Sequence, residues 1–320
     1  MKLWVVIVNY KTPVLALRAI DSALPDVRAL GGWICVVDNA SGDGSYETLS
    51  DGVAAMRTGG ADVPVEVIAA ERNGGFGYGN NVAIRRALRA QDPPDYVYLL
   101  NPDAIAAPSA IRRLVEFLDA HPQAGIAGSH VEDSDGTTHV SAFRFPSPLG
   151  EVEATLKLGL ASRALGRWRV AGLPCDRTMP VDWVTGASSM IRREVLEQVG
   201  LFDENFFLYF EETDLCRRAA EAGWERWFVR EATVRHEEAA ATGIKNTARP
   251  MPQYWFDSRR YYFLKQGGKA ELTLANLGWV AGFGLWRLRR RIQGKPDRDP
   301  PHMLRDFLRH ALGRPQSPRA

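Results

Sequence analysis

Cysteine is scarce in this 320-residue chain. Cys35, Cys175 and Cys216 stand far apart and no two form a Cys-x-x-Cys pair. An odd number without a pattern argues against a disulfide framework and a zinc knuckle, and fits a reducing cytoplasm. Long apolar runs are missing as well. Residues 3–8 are too few for a signal-peptide core and read as a first β-strand. The apolar stretch 272–286 is interrupted by Asn276 and by glycines, and it falls short of the roughly 20 residues that a membrane span needs. There is no internal repeat and no low-complexity segment. With 45% hydrophobic and 24% charged residues, the chain has enough apolar matter for a large core, in one domain or two, and no disordered or fibrous character.

Charge is unevenly spread. The net charge of +2 hides a C-terminal part, residues 245–320, with 16 Lys/Arg against 5 Asp/Glu, a net of +11 that leaves −9 for the rest. An acidic body and a basic tail point to two surfaces with different partners.

What is present is alternation. Residues 3–8, 33–37, 65–69 and 96–100 read as strands. Helices are expected over 14–24, 45–56, 80–90 and 108–120, the first opened by Thr12 as N-cap and Pro13 at N1. Such a pattern predicts an α/β fold with a mostly parallel sheet and helices on its faces. Ligands of such sheets bind beyond the carboxyl ends of the strands. Polar residues stand at those ends: Asn9-Tyr10, Asp38-Asn39, Arg72-Asn73 and Asn101-Pro102-Asp103. Residues 131–180 are irregular and read as an insertion. Beyond them, 181–184, 188–192, 226–229 and 233–236 read as strands, with helices over 193–199 and 212–222. Glycines 74, 75, 77 and 79 do not fit G-x-G-x-x-G and follow the third strand, which argues against a nicotinamide-dinucleotide site. Asn9-Tyr10-Lys11-Thr12-Pro13 is no basic glycine-rich loop, which argues against a nucleotidyltransferase.

Several stretches then come in a recognisable order. They are Val6-Ile7-Val8-Asn9-Tyr10, Val37-Asp38-Asn39-Ala40-Ser41-Gly42, Asn73-Gly74-Gly75-Phe76-Gly77, Leu100-Asn101-Pro102-Asp103, Phe210-Glu211-Glu212-Thr213-Asp214 and His236. Together they resemble the family 2 glycosyltransferases, and among these the bacterial rhamnosyltransferase-like branch, over about residues 3–240. The resemblance implies a GT-A type fold, a Rossmann-like nucleotide-binding sheet with flanking helices. On this reading residues 1–244 form the catalytic domain and 245–320 a C-terminal helical extension. The implied activity is inverting transfer of a sugar from dTDP-rhamnose or a UDP-sugar to a glycan or lipid-linked acceptor, in cell-surface polysaccharide synthesis. Nucleic acid is not an expected partner. The rival class is a noncatalytic nucleotide-sugar-binding or scaffold subunit, against which the intact set Asp38, Asp103, Glu212 and His236 argues.

By the same resemblance Asp38 accepts the imide N–H of uracil or thymine, Tyr10 stacks on the base, and Asn9, Arg72, Asn73 and Asn101 border the donor. On residue chemistry alone, the alternative for Asp38 is an Asx-turn residue ahead of Ser41-Gly42, and for Tyr10 a rim aromatic. Asn101-Pro102-Asp103 matches the family's Asp-x-Asp metal motif with Asn in first place, which removes an anionic ligand. Asp103 and His236 are thus the expected ligands of Mg²⁺ or Mn²⁺, which favour oxygen donors, although a lone His after a strand is commonly structural. The acidic pair Glu211-Glu212 matches the family's catalytic pair, with Glu212 as base and Glu211 orienting the acceptor; the alternative is an acidic first helical turn favoured by the helix dipole. Trp183 and Gly186 resemble the loop beside the sugar.

In the tail, Trp279, Phe283 and Trp286 share a helical face just ahead of an arginine cluster. That suits a helix lying in an anionic membrane interface at the inner face of the plasma membrane. It suits equally a helical hairpin packed on the core with solvated arginines.

Overall fold

The computed structural model describes residues 2–58, 63–133, 135–236 and 248–313. It divides into two compact units. The first comprises residues 1–143, 174–207 and 211–241, and the second 144–173, 208–210 and 242–320. The boundary read at residue 244 lies outside the described residues.

The strands of the first unit are β1 (Leu3–Asn9), β2 (Trp33–Asp38), β3 (Val65–Ala69), β4 (Tyr96–Leu100), β5 (Ala104–Ala106), β6 (Ala124–Asp133), β7 (Thr138–His139), β8 (Ala142–Phe143), β9 (Met179–Pro180), β10 (Trp183–Val184), β11 (Ser188–Arg192) and β12 (Glu225–His236). The main sheet runs β3-β2-β1-β4-β11-β6-β12-β5. The first four of these are mutually parallel, and β11 runs antiparallel between β4 and β6. Strands β1, β2 and β4 are buried on both faces, which is why they read as unbroken apolar runs rather than as alternation.

Helices α1 (Pro13–Ala29), α2 (Ser45–Arg57), α3 (Gly75–Leu88) and α4 (Ala110–Ala120) cover the sheet. Pro13 opens α1 as expected, but Thr12 makes no side-chain cap. Asn9 Oδ1 instead accepts from the Thr12 amide at 3.1 Å and its hydroxyl at 3.2 Å. Helix α1 continues past Pro25, where a proline normally marks an end. The reason is tertiary. Leu24 and Val27 enter the core on either side of it, and Asp26 Oδ2 accepts the Ile111 and Arg112 amides at 3.1 and 3.3 Å, capping α4 from a distance.

Helix α3 starts at Gly75, five residues earlier than expected, so the glycine-rich stretch is mostly helix rather than loop. At Gly75 φ is +86°, and a Cβ would run into the Phe207 carbonyl oxygen; only glycine suits that place. The segments 226–229 and 233–236 form one strand, β12, with an irregularity in its register between Val229 and Thr233. Strand β6 was not expected at all. Its run Ala-Gly-Ile-Ala-Gly-Ser holds one β-branched side chain, Ile126, and its glycines, Gly125 and Gly128, sit under Val195, Trp224 and Val184.

In the second unit, α5 (Pro148–Leu156) and α6 (Gly159–Ala164) occupy the stretch that looked irregular. Helix α9 (Gln253–Ile292) breaks at Gly267-Gly268, and α10 (Met303–Leu312) follows. The arginine-rich tail is therefore partly structural. Trp279 and Phe283 are 4% and 5% exposed and form a core with Phe256, Met303 and Phe307. Trp279 stacks on Phe307 at 3.9 Å and on Phe283 at 4.7 Å, contacts worth about 0.5–1.5 kcal/mol each beyond burial. Trp286 donates its indole N–H to Asp299 at 3.1 Å. This corrects the expectation that these three aromatics face lipid headgroups: stacking within the unit consumes that face. Arg289 donates to the Leu156 and Lys157 carbonyls, and Arg290 pairs with Asp297 and Asp299. No helix among the described residues is long and apolar enough to cross a membrane.

Candidate active site

Every residue expected to bind donor or metal or to act in catalysis belongs to the first unit. The topology brings them to one edge of its sheet, at the carboxyl ends of β1, β2, β3, β4 and β12 and the amino end of the antiparallel β11.

Asp38 ends β2 and is 4% exposed. Its Oδ1 accepts from Asn9 Nδ2 at 2.8 Å and Ser41 Oγ at 2.6 Å; its Oδ2 accepts the Ser41 amide at 3.2 Å. The turn role is therefore real. Oδ1 is saturated, while Oδ2 keeps one lone pair for a further donor. Asn9 is fully buried with both ends of its amide engaged, so it holds Asp38 and α1 in place and offers no group to a ligand. Tyr10, 37% exposed, presents its ring, with Lys11 Nζ 5.3 Å from the centroid. Asn73 Oδ1 accepts from Asn39 Nδ2 and from the Gly75 amide, each at 3.1 Å. Arg72 lies over the Tyr78 ring at 4.6 Å and 3.9 Å from Glu204.

The turn after β4 carries Asn101 and Asp103 into β5. Because β5 pairs antiparallel with β12, Ala104 lies opposite His236, and Asp103 Oδ1 comes 3.1 Å from His236 Nε2. Asp103 is 4% exposed. His236 Nδ1 is buried with no hydrogen-bond partner. A carboxylate and an imidazole in contact, one ring nitrogen unsatisfied, fit a divalent cation with the donors this pair supplies. Among the described residues no group of three or more His, Cys, Asp or Glu converges. Such an ion would need further oxygens from a ligand or water, as Mg²⁺ sites built around substrate phosphates do. Two residues next to this pair escaped the sequence reading. Asp133 is the register partner of His236 on β6, and His139 stacks on His236 at 6.3 Å. Only the strand pairing brings them there.

Pairing of β11 with β4 brings the 186–187 turn beside Asn101, whose amide donates to the Ala187 carbonyl at 2.9 Å. Trp183 stacks on Phe143 at 4.1 Å across the β10–β8 pair. Helix α8 (Glu211–Glu221), which follows α7 (Arg193–Val199), opens with the acidic pair. Glu211 is 2% exposed and Glu212 half-buried, and each has a carboxylate oxygen with no hydrogen-bond partner. The Gly186 amide donates to Glu212. Burial raises the Glu211 carboxyl well above its ordinary range, and the neighbouring Glu212 charge pushes it further. Burial also raises Glu212, against the pull of the Glu212 and Gly186 amides. Asp214 pairs with Arg218 at 2.8 Å, which in turn donates to the Val199 and Leu201 carbonyls. These bonds fix the start of α8.

The open α/β sheet thus carries along its polar carboxyl edge a carboxylate–imidazole pair and, at a helix start, an acidic pair. A family model described as glycosyltransferase like family 2 matches residues 2–251, and the chain belongs to that family. It is 35% identical over 154 residues to the N-acetylglucosaminyl-diphospho-decaprenol L-rhamnosyltransferase of Mycobacterium tuberculosis, covering 47% of this chain and 49% of that one. It is 25% identical over 157 residues to the rhamnosyltransferase WbbL of Escherichia coli K12, covering 48% and 58%. The matches thus span about half the length of these curated relatives. Among solved structures it resembles the mannosyltransferase PcManGT of Pyrobaculum calidifontis in complex with GDP-Man and Mn²⁺, with a TM-score of 0.57 at 14% identity, over 92% of this chain and 75% of that one. GalNAc-T7 with UDP, GalNAc and Mn²⁺ gives a TM-score of 0.58 at 14% identity, over 96% and 56%. These likenesses show a GT-A type fold.

Proposed function

We propose that this protein is an inverting, metal-dependent glycosyltransferase. It takes a sugar from a nucleotide-diphosphate donor, dTDP-rhamnose first and a UDP-sugar second, and passes it to a glycan or lipid-linked acceptor in cell-surface polysaccharide synthesis. The observation that carries the reading is the Asp103–His236 contact, 3.1 Å long, on the same sheet edge as Asp38 and the Glu211-Glu212 pair. The rhamnosyltransferase names of the two bacterial relatives support the donor, and the diphospho-decaprenol in one of them supports a lipid-linked acceptor.

The mechanism follows from the residues. Asp38 Oδ2 receives the imide N–H of the base, and Tyr10 offers a stacking face. Asn101, Arg72 and Asn73 border the ribose and diphosphate; Trp183 and Gly186 flank the sugar. Asp103 and His236 would hold Mg²⁺ or Mn²⁺, which when bound would supply positive charge to offset that of the leaving diphosphate. The acceptor hydroxyl attacks the anomeric carbon as the bond to the diphosphate breaks, and Glu212 takes the hydroxyl proton. Glu212 is the member of the pair that an acceptor can reach. Glu211, deeply buried and with its carboxyl pKa raised by that burial, orients it.

Calorimetric titration with dTDP and UDP, with and without Mn²⁺, tests the reading. Metal should tighten nucleotide binding in the wild type and not in Asp103→Ala. Asp38→Ala should weaken binding with or without metal. A ligand at 100 times its Kd also stabilises the fold by about 2.7 kcal/mol, so melting shifts report the same ranking. Nucleotide affinity unchanged in both variants would overturn the site.

A further inference from the structure

The second unit carries an apolar face that its own core leaves uncovered. On α9 beyond the glycine break, Leu274, Leu277, Leu285, Leu288 and Ile292 are 59%, 63%, 57%, 58% and 78% exposed, and Ala281 between them is exposed too. The residues facing the other way, Leu272, Ala275, Trp279 and Phe283, are buried. At 3.6 residues per turn the six exposed positions fall within an arc of about 80° and extend for about 27 Å along the axis. Five large aliphatic side chains in one line are not the scattered apolar residues of an ordinary surface.

Leu274 and Leu285, Leu277 and Leu288, and Ala281 and Ile292 are each eleven residues apart, so the stripe runs nearly straight along the helix. Charge narrows what covers it. Arg291 follows the stripe on one side, about 80° from its centre, and is exposed, as are Lys295 and Arg298 just beyond. The stretch 245–320 carries +11. An aliphatic stripe edged by arginines is the pattern of a helix lying in the headgroup region of an anionic bilayer, apolar face down and guanidinium groups at the phosphates.

We propose that this leucine face of α9, and not the buried Trp279–Phe283 face, docks the protein on anionic lipid. The choice of a bilayer as occupant rests in part on the lipid-linked acceptor proposed above.

The test is sedimentation of the full-length protein with vesicles of phosphatidylglycerol and phosphatidylcholine, and with phosphatidylcholine alone. The wild type should bind the anionic vesicles and be released by high salt. Leu277→Glu/Leu288→Glu changes only exposed positions and should lower the bound fraction at least tenfold, with an unchanged melting temperature. Should that pair disturb the fold, Leu277→Ala/Leu285→Ala/Leu288→Ala gives a smaller loss in the same direction. Arg291→Glu should weaken binding to the anionic vesicles alone. Wild-type levels of binding in the leucine variants, or no wild-type binding, would overturn the proposal. So would light scattering showing a wild-type dimer that the glutamates dissociate, since the face would then join two copies. The Mn²⁺–dTDP titration is independent of vesicles. Failure there sinks the proposed reaction and leaves the vesicle result standing.

Discussion

Replacing Glu212 by Gln separates catalysis from binding. Glu212 accepts the Gly186 amide, and Gln can keep that bond through its carbonyl oxygen. The variant loses only the ability to take a proton. General base catalysis contributes roughly 10²- to 10⁴-fold, so turnover should fall by that factor, equivalent to about 2.7–5.5 kcal/mol of barrier. Donor affinity should stay within about threefold, because in the proposed mechanism the base and the diphosphate of the donor are held at Asp38 and Asp103. The pH profile adds a second reading. A base works only when ionised, and burial raises the Glu212 carboxyl. The acid limb of wild-type turnover should therefore lie above the usual glutamate pKa of about 4.3, and it should vanish from the residual activity of the variant. A continuous assay of released nucleotide, run from pH 5 to 9 with donor saturating, measures both. If Glu212→Gln keeps near-normal turnover while Glu211→Gln is the inactive protein, the roles within the pair are reversed. If neither variant loses activity, the acidic pair is a helix-start feature and the base lies elsewhere.

Glu211→Gln tests the energetic side of the same pair. A carboxyl whose pKa is raised by folding contributes stability below its unfolded pKa and loses it as pH rises through the folded value. The variant should melt with the wild type near pH 4 and progressively above it toward pH 8; parallel melting curves across that range would refute the burial argument. Gly75→Ala meets both a left-handed φ and the Phe207 carbonyl, and should destabilise by about 2–5 kcal/mol in chemical denaturation. A change below about 0.5 kcal/mol would mean that α3 begins differently.

The fold class was legible because parallel strands buried on both faces leave continuous apolar runs, and helices between them leave a 3.6-residue period. Positions 38, 101 and 103 stood out because polar residues there end apolar runs, and 211, 212 and 236 stood out through the resemblance to the family. What each of them does was not legible. Asn9 reads like a ligand residue and proves to be a buried brace, since that depends on Thr12 and Asp38 reaching it. The pairing of Asp103 with His236 joins positions 133 residues apart in the chain, and it exists only because β5 runs antiparallel to β12. Strand β6 and the neighbours it brings, Asp133 and His139, were invisible because glycine and alanine there answer to side chains packed on top of them, not to strand propensity.

The tail shows the same division most plainly. Sequence alone set Trp279, Phe283 and Trp286 on one helical face; the aliphatic face opposite them emerged from the exposures of Leu274, Leu277, Leu285, Leu288 and Ile292. Only tertiary structure decided which is covered. Flat rings stack, so Trp279 finds Phe283 and Phe307 within the unit. The leucines meet no such partners and stay in contact with solvent.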